Sequence, residues 1–566
     1  MKKIIIILGI IASVFSSCSN YIEEESLSYP AADETYRTSG GFQLLVNSTY
    51  ARLKEIYGGN PWFFVGGTDL YAEGFNTESP LSDYKSLTPA STNVEELYIS
   101  CYAQIQSVNK VLYYSTITEP SSNLNALVGE AQFLRANAYF LLVQAYGGVP
   151  IVNDHITSSE NTSFSRNSEE EVYNLIIEDL NASLASVGTG AYATTGKVNK
   201  RAVNDLLAKV YLTRGYQSYG KPTDFATAAA FADAAIAGQG LTVPVDQLFK
   251  PGNDLNAETI FSVQYDKTST STSPTTLGNR QYSYYSSNLG AADTGAPQRS
   301  QNLLPTGYAL NLYEQADKRW NATFMTEIYQ GVEITNGKSS NVLYFPYYRS
   351  PSLSTLKILH FYEPKWFTPA ERDAYIASHP DLQKPLRPNG EPRGYHRWGG
   401  YAAESIVATS PLWINDAGTI PVKKFDDPEL STPLGTGAVS TRDIILARLA
   451  DTYLIAAEAY FKAGNSGTGL LRLNAVRTRA GVTGALPAEF NIDYILDERA
   501  REMLGEYNRW FDLKRTNTLT TRVPGNNYKV KLADFGTAPN QKLLRPIPQK
   551  AIDLNKNKDF PQNPGY

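Results

Sequence analysis

Residues 206–216 read LLAKVYLTRGY and residues 225–237 read FATAAAFADAAIA. The pattern returns far along the chain, as ADTYLIAAEAYFKAG at 450–464 and LNAVRTRAG at 473–481. Apolar residues recur at three- and four-residue spacing in each block, which predicts helices with one packing face. Alanines in the stripe permit close helix crossings, and Gly215, Gly464 and Gly481 supply stops. Two helix pairs follow, 201–216 with 225–237 and 444–463 with 469–479. Earlier in the chain, Phe42, Leu45, Val46, Thr49, Leu53 and Ile56 form another helical face, as do Val94, Leu97, Tyr98, Cys101, Ile105, Val108 and Leu112. Cys101 therefore reads as a small buried hydrophobe rather than a reactive thiol. Residues 124–146 predict a further helix, stopped by Gly147-Gly148-Val149-Pro150, and Ser168 with Glu171 forms a capping box before Val172, Leu175, Ile176 and Leu180.

The alanine-lined pairs, with a tyrosine near the turn, resemble tetratricopeptide repeats, but the copies are unevenly spaced. The expected fold is mainly α, with tetratricopeptide-like helix pairs in an α-α superhelix supporting a loop-rich, irregular subdomain. Residues 266–307 are rich in Ser, Thr, Gly and Asn, and 379–400 in Pro and Gly, so helix is not expected there. Long irregular segments of this kind are commonly functional.

The N-terminus reads as an export signal. Lys2 and Lys3 precede a run of twelve apolar residues at 4–15, short of the roughly 18–20 that span a bilayer. Ser16, Ser17 and Cys18 resemble a bacterial lipobox, with cleavage before Cys18 and lipidation of its thiol. Glu23, Glu24 and Glu25 fit either a surface-export signal or a solvated linker. The formal charge of −5 argues against nucleic acid as a partner, and two cysteines exclude a disulfide scaffold or a Cys-rich zinc site. Tyrosine is abundant, at 38 against 22 phenylalanines; its apolar face and polar tip suit half-wet binding surfaces.

Motifs for chemistry are missing from the sequence. No phosphate loop, dinucleotide fingerprint, zincin motif or nucleophile elbow occurs. His155, His360, His379 and His396 are far apart and read as surface or structural residues, and no metal or cofactor is expected. Asp553, Asn555, Asn557 and Asp559 begin like a calcium loop but lack its glycine and closing glutamate, so a turn is expected. The charge-dense stretch LDERAREMLGEYNRWFDLKR at 496–515 predicts a packing helix with Ile492, Leu496, Ala500, Met503, Tyr507 and Trp510 on one stripe. Glu498 with Arg501, Arg499 with Glu502 and Glu506 with Arg509 are expected to pair on its flanks.

The same stretch, with ERARE at 498–502 and RWFDLKR at 509–515, resembles the signature of the SusD/RagB family of outer-membrane nutrient-binding lipoproteins. GEAQFLRANAYFLLVQAYGGVPIV at 129–152, KVNKRAVNDLLAKVYL at 197–212, RLADTYLIAAEAY at 448–460 and LLRPIPQKAIDLNKNKDFPQNPGY at 543–566 are similar to further family blocks, in family order. Ala551 departs from the pattern, where many members carry an acidic residue. The resemblance implies a chain of five parts: a lipoprotein signal peptide at 1–17, an anchor and linker at 18–37, an N-terminal helical part at 38–250, a loop-rich centre at 251–440, and C-terminal helices and tail at 441–566. It implies a binding protein, not an enzyme, held at the outer membrane by Cys18 and facing the exterior. Its expected partner is a SusC-like TonB-dependent transporter, through which captured oligosaccharide or polysaccharide is imported. Peptides or another nutrient are the alternative cargo, and a surface glycoside hydrolase or a helical-repeat adaptor are the rival functions.

In that family, ligand residues come from the loop after the first long helix and from the central insertion, which map here to 66–84 and 270–300. The candidates are Asp69, Tyr71 and Phe75 in the first, and Arg280, Tyr282, Tyr284, Tyr285 and Asn288 in the second, with Trp366 and Trp398 as alternatives. Tyr84 and Asn279 lie in the same two stretches. In an extended run, Tyr282 and Tyr284 share one face and Tyr285 takes the other. Trp62, Trp413 and Trp510 read as core.

Overall fold

The computed structural model describes residues 32–74, 79–156, 162–266, 278–285, 303–329, 332–335, 340–343, 356–380, 382, 386, 390–402, 420–427 and 440–566. Ten helices carry the architecture: α1 (Ser39–Ala51), α2 (Thr92–Ser115), α3 (Leu124–Tyr146), α4 (Glu169–Ser186), α5 (Lys200–Gly215), α6 (Asp224–Ile236), α7 (Leu449–Lys462), α8 (Ser466–Ala480), α9 (Ile492–Glu502) and α10 (Arg509–Arg515). Each from α2 to α8 packs on the next, so the stack runs without a break from α6 to α7 although some two hundred residues intervene. Small side chains make that junction. Ala228, Ala229, Ala232 and Ala235 of α6 and Ala450, Ala456, Ala457 and Ala459 of α7 are all buried, letting the helix axes approach closely. Ser168 caps α4 as expected: its Oγ accepts from Glu171 N, and the Glu171 carboxylate accepts from Ser168 N. Cys101 is fully buried in α2. No helix among the described residues is long and apolar enough to cross a membrane.

The strands are short: β1 (Tyr71–Glu73), β2 (Thr259–Val263), β3 (Leu303–Pro305), β4 (Glu327–Tyr329), β5 (Val332–Thr335), β6 (Ser340–Leu343), β7 (Ile358–Tyr362), β8 (Tyr395–His396) and β9 (Ile444–Arg448). They form antiparallel pairs β1–β3, β2–β9 and β5–β6, and a sheet ordered β4–β7–β8 in which β7 and β8 run parallel. Residues 444–448 are thus a strand, not the start of a helix. A short buried Ile-Ile-Leu run satisfies either period, and pairing with β2 decides it. The β7–β8 region has its own small core of Phe361, Leu382 and Tyr395.

The stretch 496–515 is also not one helix. α9 stops at Glu502, and the chain turns through Gly505, at φ 78°, before α10. A Cβ at Gly505 would lie 2.5 Å from the Phe425 ring and 3.1 Å from Tyr71 Oη, so only glycine fits. The flank pairs change accordingly. Glu498 does pair with Arg501, but Arg499 reaches Asp451 and Asp512, Glu506 takes Arg448 and Lys424, and Arg509 clamps Asp69. These groups are buried rather than solvated. Glu502 accepts from Arg448 (2.6 Å), Arg479 (2.5 Å) and Arg319 (3.1 Å), and Glu498 from Arg319 (2.6 Å), Arg477 (2.9 Å) and Arg501 (2.9 Å). The network ties α8 and α9 to β9 and to the turn at Arg319.

Burial pushes the Glu498 carboxyl up, but Arg319, Arg501 and Arg477 outweigh it and hold it at about 2; Glu502 is depressed in the same way. A folded pKa below the unfolded value near 4.3 gives stability that is present above pH ~4.3 and lost as pH falls towards 2. For Glu498 alone this is on the order of 3 kcal/mol. Melting temperature is therefore expected to hold from neutrality to about pH 5 and to fall steeply between pH 4.5 and 2. Calorimetric scans across that range check this, and an unchanged melt at pH 2.5 contradicts it.

The C-terminal tail is bound back to α3. Arg545 N donates to Ala145 O, and Asn563 Nδ2 donates to Tyr146 O and Arg545 O. The buried Arg545 guanidinium lies 4.4 Å from the centre of the Trp510 ring. The expected turn begins at Asn555, since Asp553 and Leu554 end the helix Gln549–Leu554: Asn555 Oδ1 accepts from Phe164 N and Asn557 N, and Asn557 Oδ1 from Asp559 N.

Candidate ligand-binding site

The structure divides the sequence candidates. Phe75 and Asn288 lie outside the described residues, as do Cys18 and Trp413. Asp69 is fully buried and clamped by Arg509, at 2.7 and 2.6 Å, with Arg522 at 3.4 Å, so its carboxylate is an internal anchor rather than a ligand contact. Tyr71, in β1, is buried and meets Tyr285 edge-on at 5.2 Å. Tyr84 and Asn279 are buried too: Tyr84 Oη donates to Gly67 O, and Asn279 bridges to Ser440.

The tyrosines at 282–285 do not alternate as in a strand. Gln281–Tyr284 is a single helical turn, which puts Tyr282 and Tyr285 together on the inner side at i, i+3 spacing and leaves Tyr284 half-buried. The expected sharing of a face by Tyr282 and Tyr284 is corrected for that reason. Tyr285 Oη donates to Gly505 O at 2.8 Å and its ring packs on Phe425 at 4.8 Å, so it staples this loop to the α9–α10 turn. Tyr284 stands edge-on to buried Trp62 at 6.2 Å and 89°, beside exposed Arg280, whose N–H donates to Gly58 O. Tyr284 and Arg280 are the members of this group that reach solvent.

Trp366 and Trp398 are brought together, on a residue that sequence reading did not single out. Trp320, 1% exposed, lies in the short helix Lys318–Thr323, held by Phe324 at 4.8 Å and Tyr313 at 5.8 Å. Trp366 packs on it at 5.4 Å and 72°, and Trp398 at 6.2 Å and 53°. Both outer indoles are half-buried, so each is fixed on one side and open on another. Trp398 also meets Tyr401 edge-on at 5.6 Å, and Tyr401 Oη donates to Glu363 O at 2.8 Å. Beneath them, the parallel β7–β8 pairing brings buried His360 and His396 together, Nδ1 to Nε2 at 3.0 Å, with His396 stacked on Tyr362 at 4.4 Å. Both histidines are therefore structural, although far apart in sequence. Lys365, next to Trp366, donates to Asn311 O and gives the platform a polar edge. Fixed aromatic faces beside polar groups suit a ligand with apolar C–H faces and hydroxyl rims. Glu498 and Glu502 offer no such access, since both are buried among arginines.

Known proteins share this architecture. Residues 257–566, more than half the chain, match the family model described as SusD family, and residues 31–212 match one described as starch-binding associating with outer membrane. The chain belongs to the SusD family. Among its relatives, the SusD-like protein P2 of Formosa agariphila is 24% identical over the full length of both chains. The starch-binding protein SusD of Bacteroides thetaiotaomicron is 25% identical over 88% of this chain and 83% of its own. A laminarin-binding SusD-like protein superposes with a TM-score of 0.68 at 20% identity, covering 94% of this chain and all of that one. NanU of B. fragilis superposes with a TM-score of 0.64 at 19% identity, covering 96% of this chain and all of that one. The stacked pairs of this SusD-like chain are thus the tetratricopeptide-like helices of the family, and its short sheets and loops are the irregular part they support.

Proposed function

We propose that this SusD-like chain captures oligosaccharide or polysaccharide at the outer membrane, without transforming it, for import through a SusC-like TonB-dependent transporter. The observation that carries the reading is the pair of half-buried indoles, Trp366 and Trp398, fixed on Trp320. Starch-binding and laminarin-binding relatives support a glycan as the ligand class. The lipobox-like Ser16-Ser17-Cys18 supports a lipid anchor at Cys18, with the body facing the exterior. Stacking on one ring is weak, and successive sugars engaging several rings raise the affinity of a long chain.

Titration calorimetry of the soluble protein, lacking the first 18 residues, against starch and laminarin oligosaccharides tests the reading. Affinity that rises with chain length, with each oligosaccharide recovered intact, is expected. Shortened products would replace binding by hydrolysis. In the same assay Tyr284→Ala is expected to weaken binding about 3- to 10-fold, the worth of one aromatic contact, while the melt stays near wild type. An unchanged affinity removes Tyr284 from the site.

A further inference from the structure

The helical scaffold borders a space away from Trp366 and Trp398. A cavity of about 100 Å3 lies where α3, α5 and α7 meet the α9–α10 turn. Phe64, Phe140 and Phe511 line it together with Lys209, Arg499 and Arg515. The cations already have carboxylates: Lys209 has Asp205 and Asp451, Arg499 has Asp451 and Asp512, and Arg515 has Glu458 and Asp512. The chamber thus offers no unpaired cation to draw an anion. Two lining residues nevertheless keep polar atoms without a protein partner. Arg499 is 2% exposed and Tyr507 7%, and among the described residues Arg499 Nη1 and Tyr507 Oη make no hydrogen bond. Buried donors of this kind are rarely left unmet. Their complement is a small neutral molecule able both to accept and to donate.

We propose that this chamber is a permanent hydration site. Its volume is several times the roughly 10–15 Å3 needed to seat one water, so it takes more than one. A water accepting from Arg499 Nη1 and another paired with Tyr507 Oη complete the hydrogen bonding of the wall, and Asn137 and Gln144, which also line it, extend the polar path.

Crystals of the soluble protein at about 1.5 Å, studied with and without xenon pressure, test this directly, since dry apolar cavities take up xenon and water-filled polar ones do not. The expected result is ordered water within hydrogen-bonding distance of Arg499 Nη1 and Tyr507 Oη, with no xenon. Xenon seated among Phe64, Phe140 and Phe511, an empty chamber, or an organic solute in place of water each overturns the assignment.

Discussion

Glu502→Ala is expected to destabilise the fold by about 3–5 kcal/mol, the range for stripping one partner from a buried ion pair. The reason lies in what it leaves behind. Arg448, Arg479 and Arg319 converge on that carboxylate at 2.6, 2.5 and 3.1 Å, and all three side chains are nearly inaccessible. Arg448 keeps Glu506 and Arg479 keeps Glu258, but each guanidinium loses a contact at a nearly inaccessible site. Glu502→Gln keeps the shape and removes the charge, so it is expected to fail nearly as badly. Asp493 is the contrast: it pairs with Arg522 at 2.7 Å from a side chain 76% exposed, and Asp493→Ala is expected to stay within about 0.5 kcal/mol of wild type. Urea unfolding followed by circular dichroism compares the three. Glu502→Ala within about 1 kcal/mol of wild type would show that the network does not hold the α9 region together.

The double variant Trp366→Ala/Trp398→Ala is expected to weaken glycan affinity about 5- to 150-fold, from two aromatic contacts of ~0.5–1.5 kcal/mol each. Both rings are half-buried against Trp320, which remains in place, so the double variant is expected to fold. Calorimetric titration measures the loss, and a melt run on the same sample separates it from unfolding. An unchanged dissociation constant would move the ligand away from this platform and towards Tyr284 and Arg280.

The helical scaffold was legible because its signals are local. Alanines recurring in 225–237 and 450–464 mark close crossings, and Ser168 with Glu171 marks a helix start, whatever the rest of the chain does. The break at Gly505 was not legible, since the apolar stripe of 492–510 continues across it, and the neighbours that admit only glycine there, Phe425 and Tyr71, are distant in sequence. Two of the three expected flank pairs, Arg499 with Glu502 and Glu506 with Arg509, failed for the same reason. Arg509 is bonded to Asp69, 440 residues away, and no i, i+3 or i, i+4 rule reaches that far. At 281–285 the composition was read correctly as aromatic, but the faces depend on local conformation. One helical turn exchanges i, i+2 neighbours for i, i+3 neighbours, and Tyr285 goes inside with Tyr282. Trp320 carried no signal beyond being a tryptophan; its role as the base of the platform comes from the loops that deliver Trp366 and Trp398 to it.

The central claim, glycan capture without chemistry, is tested most directly by native electrophoresis of the soluble protein in gels cast with a panel of polysaccharides, with reducing ends assayed in the same mixtures. Retardation by at least one glycan, with no new reducing ends, is expected. New reducing ends would contradict it in favour of a hydrolase, and no retardation by any glycan would contradict it in favour of a peptide or another nutrient as the cargo.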